Sequence, residues 1–162
     1  MTTWKDSIQI EAPIEVVWNI FSEDNFKRVM PKVTSHELIS FDKTTNTSIY
    51  KETYREGKRE ETYELTETII LDSANEKESI FHFTIAKMIH SNGKFHLKQL
   101  DEQTTIFTYS GETKGVSFLG KTMMKLASRK KDKQIVTEFL QLVKQETESD
   151  YKINYENSYY LL

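Results

Sequence analysis

A short alternating strand, clearest at Ile8, Gln9 and Ile10, runs into Ala12-Pro13. Beyond that point Ile14, Val17, Trp18 and Phe21 recur at helical spacing, which predicts an apolar-faced helix. Pro13 suits the first helical position, where its missing N–H costs nothing, and Glu15 in the first turn favours the helix dipole. Trp18 reads as core on that face. A second short helical piece follows and ends at Pro31. From Val33 to Lys114 the pattern is almost entirely period-two and rich in Thr, Ile, Tyr and Phe, which predicts strands. From about Ser117 to Thr147 it is helical again. The predicted order is one strand, two short helices, six strands and a long helix, an α+β arrangement with an antiparallel sheet of about seven strands.

Turn chemistry phases the strands. Gly57-Lys58 reads as a two-residue hairpin turn with Gly at the first central position. That register sets Tyr54 opposite Glu61, Glu52 opposite Tyr63, and Tyr50 opposite Leu65. On the other face Arg55 meets Glu60 and Lys51 meets Glu64, and facing opposite charges mark a solvent side. The face with Tyr50, Tyr54, Tyr63 and Leu65 is therefore expected inside, and it carries Glu52 and Glu61 with it. Three-residue loops at Ala86–Met88 and Asp101–Gln103 would place Phe81, Phe83, Ile85, Phe95, Leu97, Phe107 and Tyr109 on that same inner face. Asn92-Gly93 is a hairpin dipeptide, but a turn there would oppose a very long strand to a short one. Gly93 is expected to mark a bulge or bend within a curved strand instead.

The last helix carries Leu119, Met123, Leu126 and Ala127 on one side and Ile135, Val136, Phe139, Leu140, Leu142 and Val143 on roughly the opposite side. A bend or break is expected between the two sets, around the polar run "SRKKDKQ". Residues 148–162 form a Tyr-rich tail in which Tyr151, Ile153 and Tyr155 alternate as in an extended segment. The tail is expected to pack against the long helix, in the same chain or across a homodimer.

With 162 residues, 37% hydrophobic and 12% aromatic, the chain can bury the core of one domain, taken as residues 1–147. A net charge of −3 gives no case for nucleic acid. No apolar run approaches the roughly 18 residues of a membrane span, and the N-terminus lacks the basic start and apolar core of an export signal. With no cysteine, disulfides, thiolate metal sites and cysteine nucleophiles are excluded. A cytoplasmic protein is the expectation.

The stretch "IQIEAPIEVVWNIFSED" resembles the strand, Ala-Pro and helix opening of the START-like, or SRPBCC, superfamily, especially its polyketide cyclase/dehydrase-like branch. "NFKRVMPKVTSHELI" is similar to the short second helix, Pro turn and second strand of that group. "SNGKFHLKQLDEQTTIFTYSGE" resembles its last two strands, and "LQLVKQETE" the end of its long helix. The likeness covers about residues 4 to 147. It implies a helix-grip fold, a curved antiparallel sheet around one long C-terminal helix, with a cavity for a small, largely apolar molecule; the first reading of the chain is a binder of such a molecule without a cofactor. Members include lipid carriers, hormone receptors, aromatase/cyclases, Rieske oxygenase subunits and chaperone-activating domains, and fold likeness alone does not choose among them.

Glu52 and Glu61 are the candidate catalytic groups, because a carboxylate facing an apolar cavity can act as acid or base. Ligand contacts are expected from Tyr50, Tyr54, Tyr63, Leu65, Phe83, Phe95, Leu97, Phe107 and Tyr109. The histidines, His36, His82, His90 and His96, show no metal-ligand spacing, and the last three phase to the outer sheet face, so no metal is expected. Lys121 to Lys133 is a basic run that reads as a solvated helix face. Three functions are compatible with these residues: binding of a small hydrophobic molecule, a cofactor-independent cyclase/dehydratase using a cavity carboxylate, and a protein-interaction module.

Overall fold

A computed structural model describes residues 1–117, 120–122 and 129–161. In chain order the elements are β1 (Thr2–Ile10), α1 (Ile14–Asn19), α2 (Phe26–Val29), β2 (Val33–Asp42), β3 (Thr47–Glu56), β4 (Arg59–Asp72), β5 (Glu76–Ile85), β6 (Ile89–Asp101), β7 (Thr104–Gly115) and α3 (Arg129–Leu161). The strands form one seven-stranded sheet in the order β1-β7-β6-β5-β4-β3-β2, every pair antiparallel. The long helix α3 packs on this curved sheet in the helix-grip manner.

The turns place the strands as their residues require. Gly57 adopts a φ of 61°, and β3 pairs with β4 in the expected register: Tyr50 with Leu65, Glu52 with Tyr63, Tyr54 with Glu61. Arg55 and Glu60 meet on the outer face at 2.6 Å. The loop Ala86–Met88 joins the paired residues Ile85 and Ile89. At the other end of β6 the turn is shorter than expected, because Asp101 pairs directly with Thr104 and the extra residue is absorbed as an irregularity before Asp101.

Strand β6 runs unbroken through Asn92-Gly93. Gly93 is not a bulge, since its pairing with Phe81 and Gly111 shows no register shift. Its role is steric: a Cβ there would lie 2.4 Å from the tip of the Phe81 ring. Gly111 similarly underlies Trp4, at 2.4 Å from the would-be Cβ. The ring ends of Phe81 and Trp4 thus approach two facing glycines on the inner face, closer than a side chain there would permit.

Helices α1 and α2 fill one end of the space between sheet and α3. Ile10, Ala12, Ile14, Val17, Ile20 and Val29 pack there with Leu97 and Phe107 from the sheet and Val136, Phe139, Leu140 and Val143 from α3. Trp18 packs against this core, with the ammonium of Lys77 5.6 Å from its ring centre. Arg28 clamps α2 to α3 by a two-pronged bond to Asp150 at 2.8 and 2.9 Å and a bond to Glu146 at 2.7 Å.

The tail is not an extended segment. Helix α3 continues without interruption to Leu161, and Tyr151 joins the partly buried residues around the core. The chain has no Gly or Pro after Gly120 to stop the helix, and elongation of an existing helix is far easier than nucleation. The expected change of helical face around Leu119, Met123, Leu126 and Ala127 falls outside the described residues. Among the described residues, no helix is long and apolar enough to cross a membrane.

Candidate functional site

Beside the solid core lies a cavity of about 990 Å³. Its walls come from the inner face of the sheet, from Phe21, Phe26 and Met30 of the helical N-terminal region, and from Asp132, Lys133, Ile135, Val136 and Phe139 of α3. Most of the wall is carbon. Phe95 stacks on Phe21 at 4.8 Å between ring centres and meets Tyr109 at 5.3 Å, while Tyr63 stacks on Phe83 at 4.9 Å.

Of the residues expected to contact a ligand, Tyr50, Tyr54, Tyr63, Leu65, Phe83, Phe95 and Tyr109 line the cavity. Leu97 and Phe107 do not. Both are completely buried among α1, α2 and α3, because the short helices cover that stretch of the inner face. Glu61 also stands apart. It lies close to the Gly57-Lys58 turn, where the strand has passed beyond the cavity, and its side chain is 27% exposed and paired with Arg59 at 3.2 Å.

Glu52 faces inward and is 2% exposed. His36, Glu52 and Tyr63 are directly opposite one another on β2, β3 and β4. Tyr63 donates its hydroxyl to one oxygen of Glu52 at 2.6 Å, and His36 Nδ1 lies 2.8 Å from the other. The His36 ring is held between Tyr50, at 4.2 Å, and Phe26, at 4.7 Å. A carboxylate only accepts, so Nδ1 carries the hydrogen of this contact, and Nε2 takes no part in it.

Sequence reasoning placed Glu52 and Tyr63 but missed His36. Strand β2 has register shifts between Val33 and Ser35 and between Leu38 and Ser40, so Val33 and His36 both face inward although they are three residues apart. No alternation rule finds a residue behind a bulge. Glu67 was also missed, yet it shares the parity of Tyr63 and Leu65 on β4 and lines the cavity.

Burial raises the pKa of the Glu67 carboxyl above its ordinary value, with Glu52 adding to the rise and His36 opposing it. Burial, with help from the adjacent Glu52 carboxylate, holds the Tyr63 phenol far above its ordinary value, and burial alone does the same to Tyr109. The row Glu67, Phe81, Gly93, Gly111, Trp4 pairs successively across β4, β5, β6, β7 and β1. The indole N–H of Trp4 is buried without a partner among the described residues. No three described His, Asp or Glu side chains come together in a way that could hold a metal ion.

Among solved structures, the Zhui aromatase/cyclase from Streptomyces sp. R1128 is similar at 14% identity and a TM-score of 0.65, covering 91% of this chain and 93% of that one. Human STARD10 is similar at 10% identity and a TM-score of 0.67, covering 87% of this chain and 62% of that one. A conserved protein from Geobacillus kaustophilus is similar at 14% identity and a TM-score of 0.64, covering 93% and 97%. At these identities the likeness speaks for the fold. No curated protein matches the sequence. The sequence model of the family described as polyketide cyclase/dehydrase and lipid transport matches residues 1–148. The chain belongs to that family.

Proposed function

We propose that this protein binds a small hydrophobic molecule inside the sheet-and-helix cavity. The observation that carries the reading is an aromatic-lined space of about 990 Å³ with a small polar cluster at one end. Small-molecule sites have this character, mostly apolar with a few convergent polar groups and volumes of about 300–1,000 Å³. Tyr50, Tyr54, Tyr63, Leu65, Phe83, Phe95 and Tyr109 contact the ligand, and Leu97 and Phe107 support that wall from the core.

The test is a titration with N-phenyl-1-naphthylamine, whose fluorescence rises on entering an apolar site. Saturable binding with one site per chain is expected. Ser91 lines the cavity beside Phe83, so Ser91→Phe fills it and lowers affinity at least about tenfold, the equivalent of about 1.4 kcal/mol. A folded Ser91→Phe variant with unchanged affinity contradicts the reading.

A second reading, cofactor-independent acid–base catalysis of the cyclase/dehydratase type, is favoured by the His36–Glu52–Tyr63 row. Both oxygens of Glu52 are occupied, so Glu52 acts as the positioning residue and His36 Nε2 as the proton acceptor. Loss of deuterium from the α-carbon of a bound ketone, abolished by His36→Phe, is the expected signature. Exchange no faster than in buffer removes this reading and leaves the binding reading intact.

A further inference from the structure

The cavity wall is mostly carbon, so its few polar atoms decide which head group a ligand can carry. At the end formed by β2, β3 and β4 the oxygens of Tyr63 and Glu67 are left as acceptors on the cavity wall. Tyr63 directs its hydrogen to Glu52, which leaves its oxygen as an acceptor. His36 directs Nδ1–H to the same carboxylate, and its Nε2 has no hydrogen-bond partner among the described residues. Glu67, on the wall, has neither a hydrogen bond nor an ion pair among them. The described lysines of the lining are Lys5 of β1 and Lys133 of α3. Both come from β1 and α3, not from the β2, β3 and β4 strands that carry His36, Glu52, Tyr63 and Glu67.

We propose that the ligand is an apolar molecule whose head donates hydrogen bonds, a hydroxyl or a protonated amine. The head lies against His36 and Glu67, and that end of the cavity rejects carboxylate and phosphate heads. The inference rests on the binding reading above and adds the chemical class of the ligand. An anionic head at that end would face the carboxyl groups of Glu52 and Glu67, whereas a donor head supplies the hydrogen bond that Glu67 lacks. Burial makes the ionised form of Glu67 costly, and a protonated amine relieves that cost. Amine binding therefore weakens as the pH falls and Glu67 takes up a proton, and alcohol binding is less affected.

Displacement of N-phenyl-1-naphthylamine by decan-1-ol, decylamine, decanoate and methyl decanoate tests this on the unmodified chain. Decan-1-ol and decylamine are expected to displace the reporter at concentrations at least about tenfold lower than decanoate. In Glu67→Gln the advantage of decylamine over methyl decanoate shrinks about tenfold, and His36→Phe erodes the advantage of decan-1-ol. Decanoate binding as tightly as the alcohol, or an order of affinities unchanged in both variants, overturns the proposal. If the reporter binds saturably but the four heads do not differ, the head-group inference fails and the binding reading stands. If the reporter does not bind at all, both fail.

Discussion

Replacing Gly93 by alanine probes how the cavity wall is built. The added Cβ would lie 2.4, 2.9 and 3.0 Å from three atoms at the far end of the Phe81 ring, and these are its three nearest neighbours. Overpacking of this kind costs about 1–3 kcal/mol, offset by about 0.5–1 kcal/mol from the lower backbone entropy of alanine in the unfolded chain. A net loss of about 1–2 kcal/mol corresponds to a fall in Tm of roughly 2–8 °C for a chain of this size. Phe81→Leu removes all three clashing atoms. In that background Gly93→Ala becomes neutral or slightly stabilising, a coupling of at least about 1 kcal/mol in a double-mutant cycle. Gly111 provides the contrast, because its Cβ would meet the backbone oxygen of Asn92 at 2.4 Å as well as Trp4. Trimming Trp4 therefore leaves Gly111→Ala destabilised. Thermal melts of the single and double variants decide the matter. A Gly93→Ala penalty that persists undiminished beside Phe81→Leu refutes the reasoning.

Leu97→Ala is expected to lose about 2–5 kcal/mol of stability by emptying a core site, with reporter affinity little changed, since Leu97 lies outside the cavity; denaturant unfolding and a titration check both halves. Glu67→Gln is expected to raise Tm at neutral pH. The folded-state pKa of Glu67 is raised, so its contribution is full below the unfolded value, near 4.3, and is lost as the pH rises through the folded value; the gain from the variant should therefore vanish at low pH. Tyr63 and Tyr109 are held above the ordinary phenol range, so absorbance titration near 295 nm should show them ionising last, each removed singly by Tyr63→Phe or Tyr109→Phe, and stability should fall as the pH rises above about 10.

The hairpin around Gly57 was legible because a glycine turn and facing charges specify the same register, and a one-residue slip would have turned every side chain over. The aromatic inner face of β5, β6 and β7 followed from the same alternation. His36 was hidden because bulges in β2 break that alternation. The separation of cavity from core was hidden for a different reason. Leu97 and Tyr109 have equivalent patterns in sequence, and only the placement of α1 and α2 seals the first and leaves the second on the cavity wall. The tail misled because Tyr151, Ile153 and Tyr155 alternate. The stripe through Val143, Thr147 and Tyr151, at intervals of four, was the truer signal, and it follows the helix that the structure contains.

Binding inside the cavity is tested most directly by following the aromatic ring resonances while N-phenyl-1-naphthylamine is added. The account predicts saturating shifts at one equivalent for Tyr63, Phe83, Phe95 and Tyr109 on the cavity wall, with exposed Phe41 on β2 unmoved. Shifts confined to Phe41 and other surface rings, or shifts that never saturate, would contradict it.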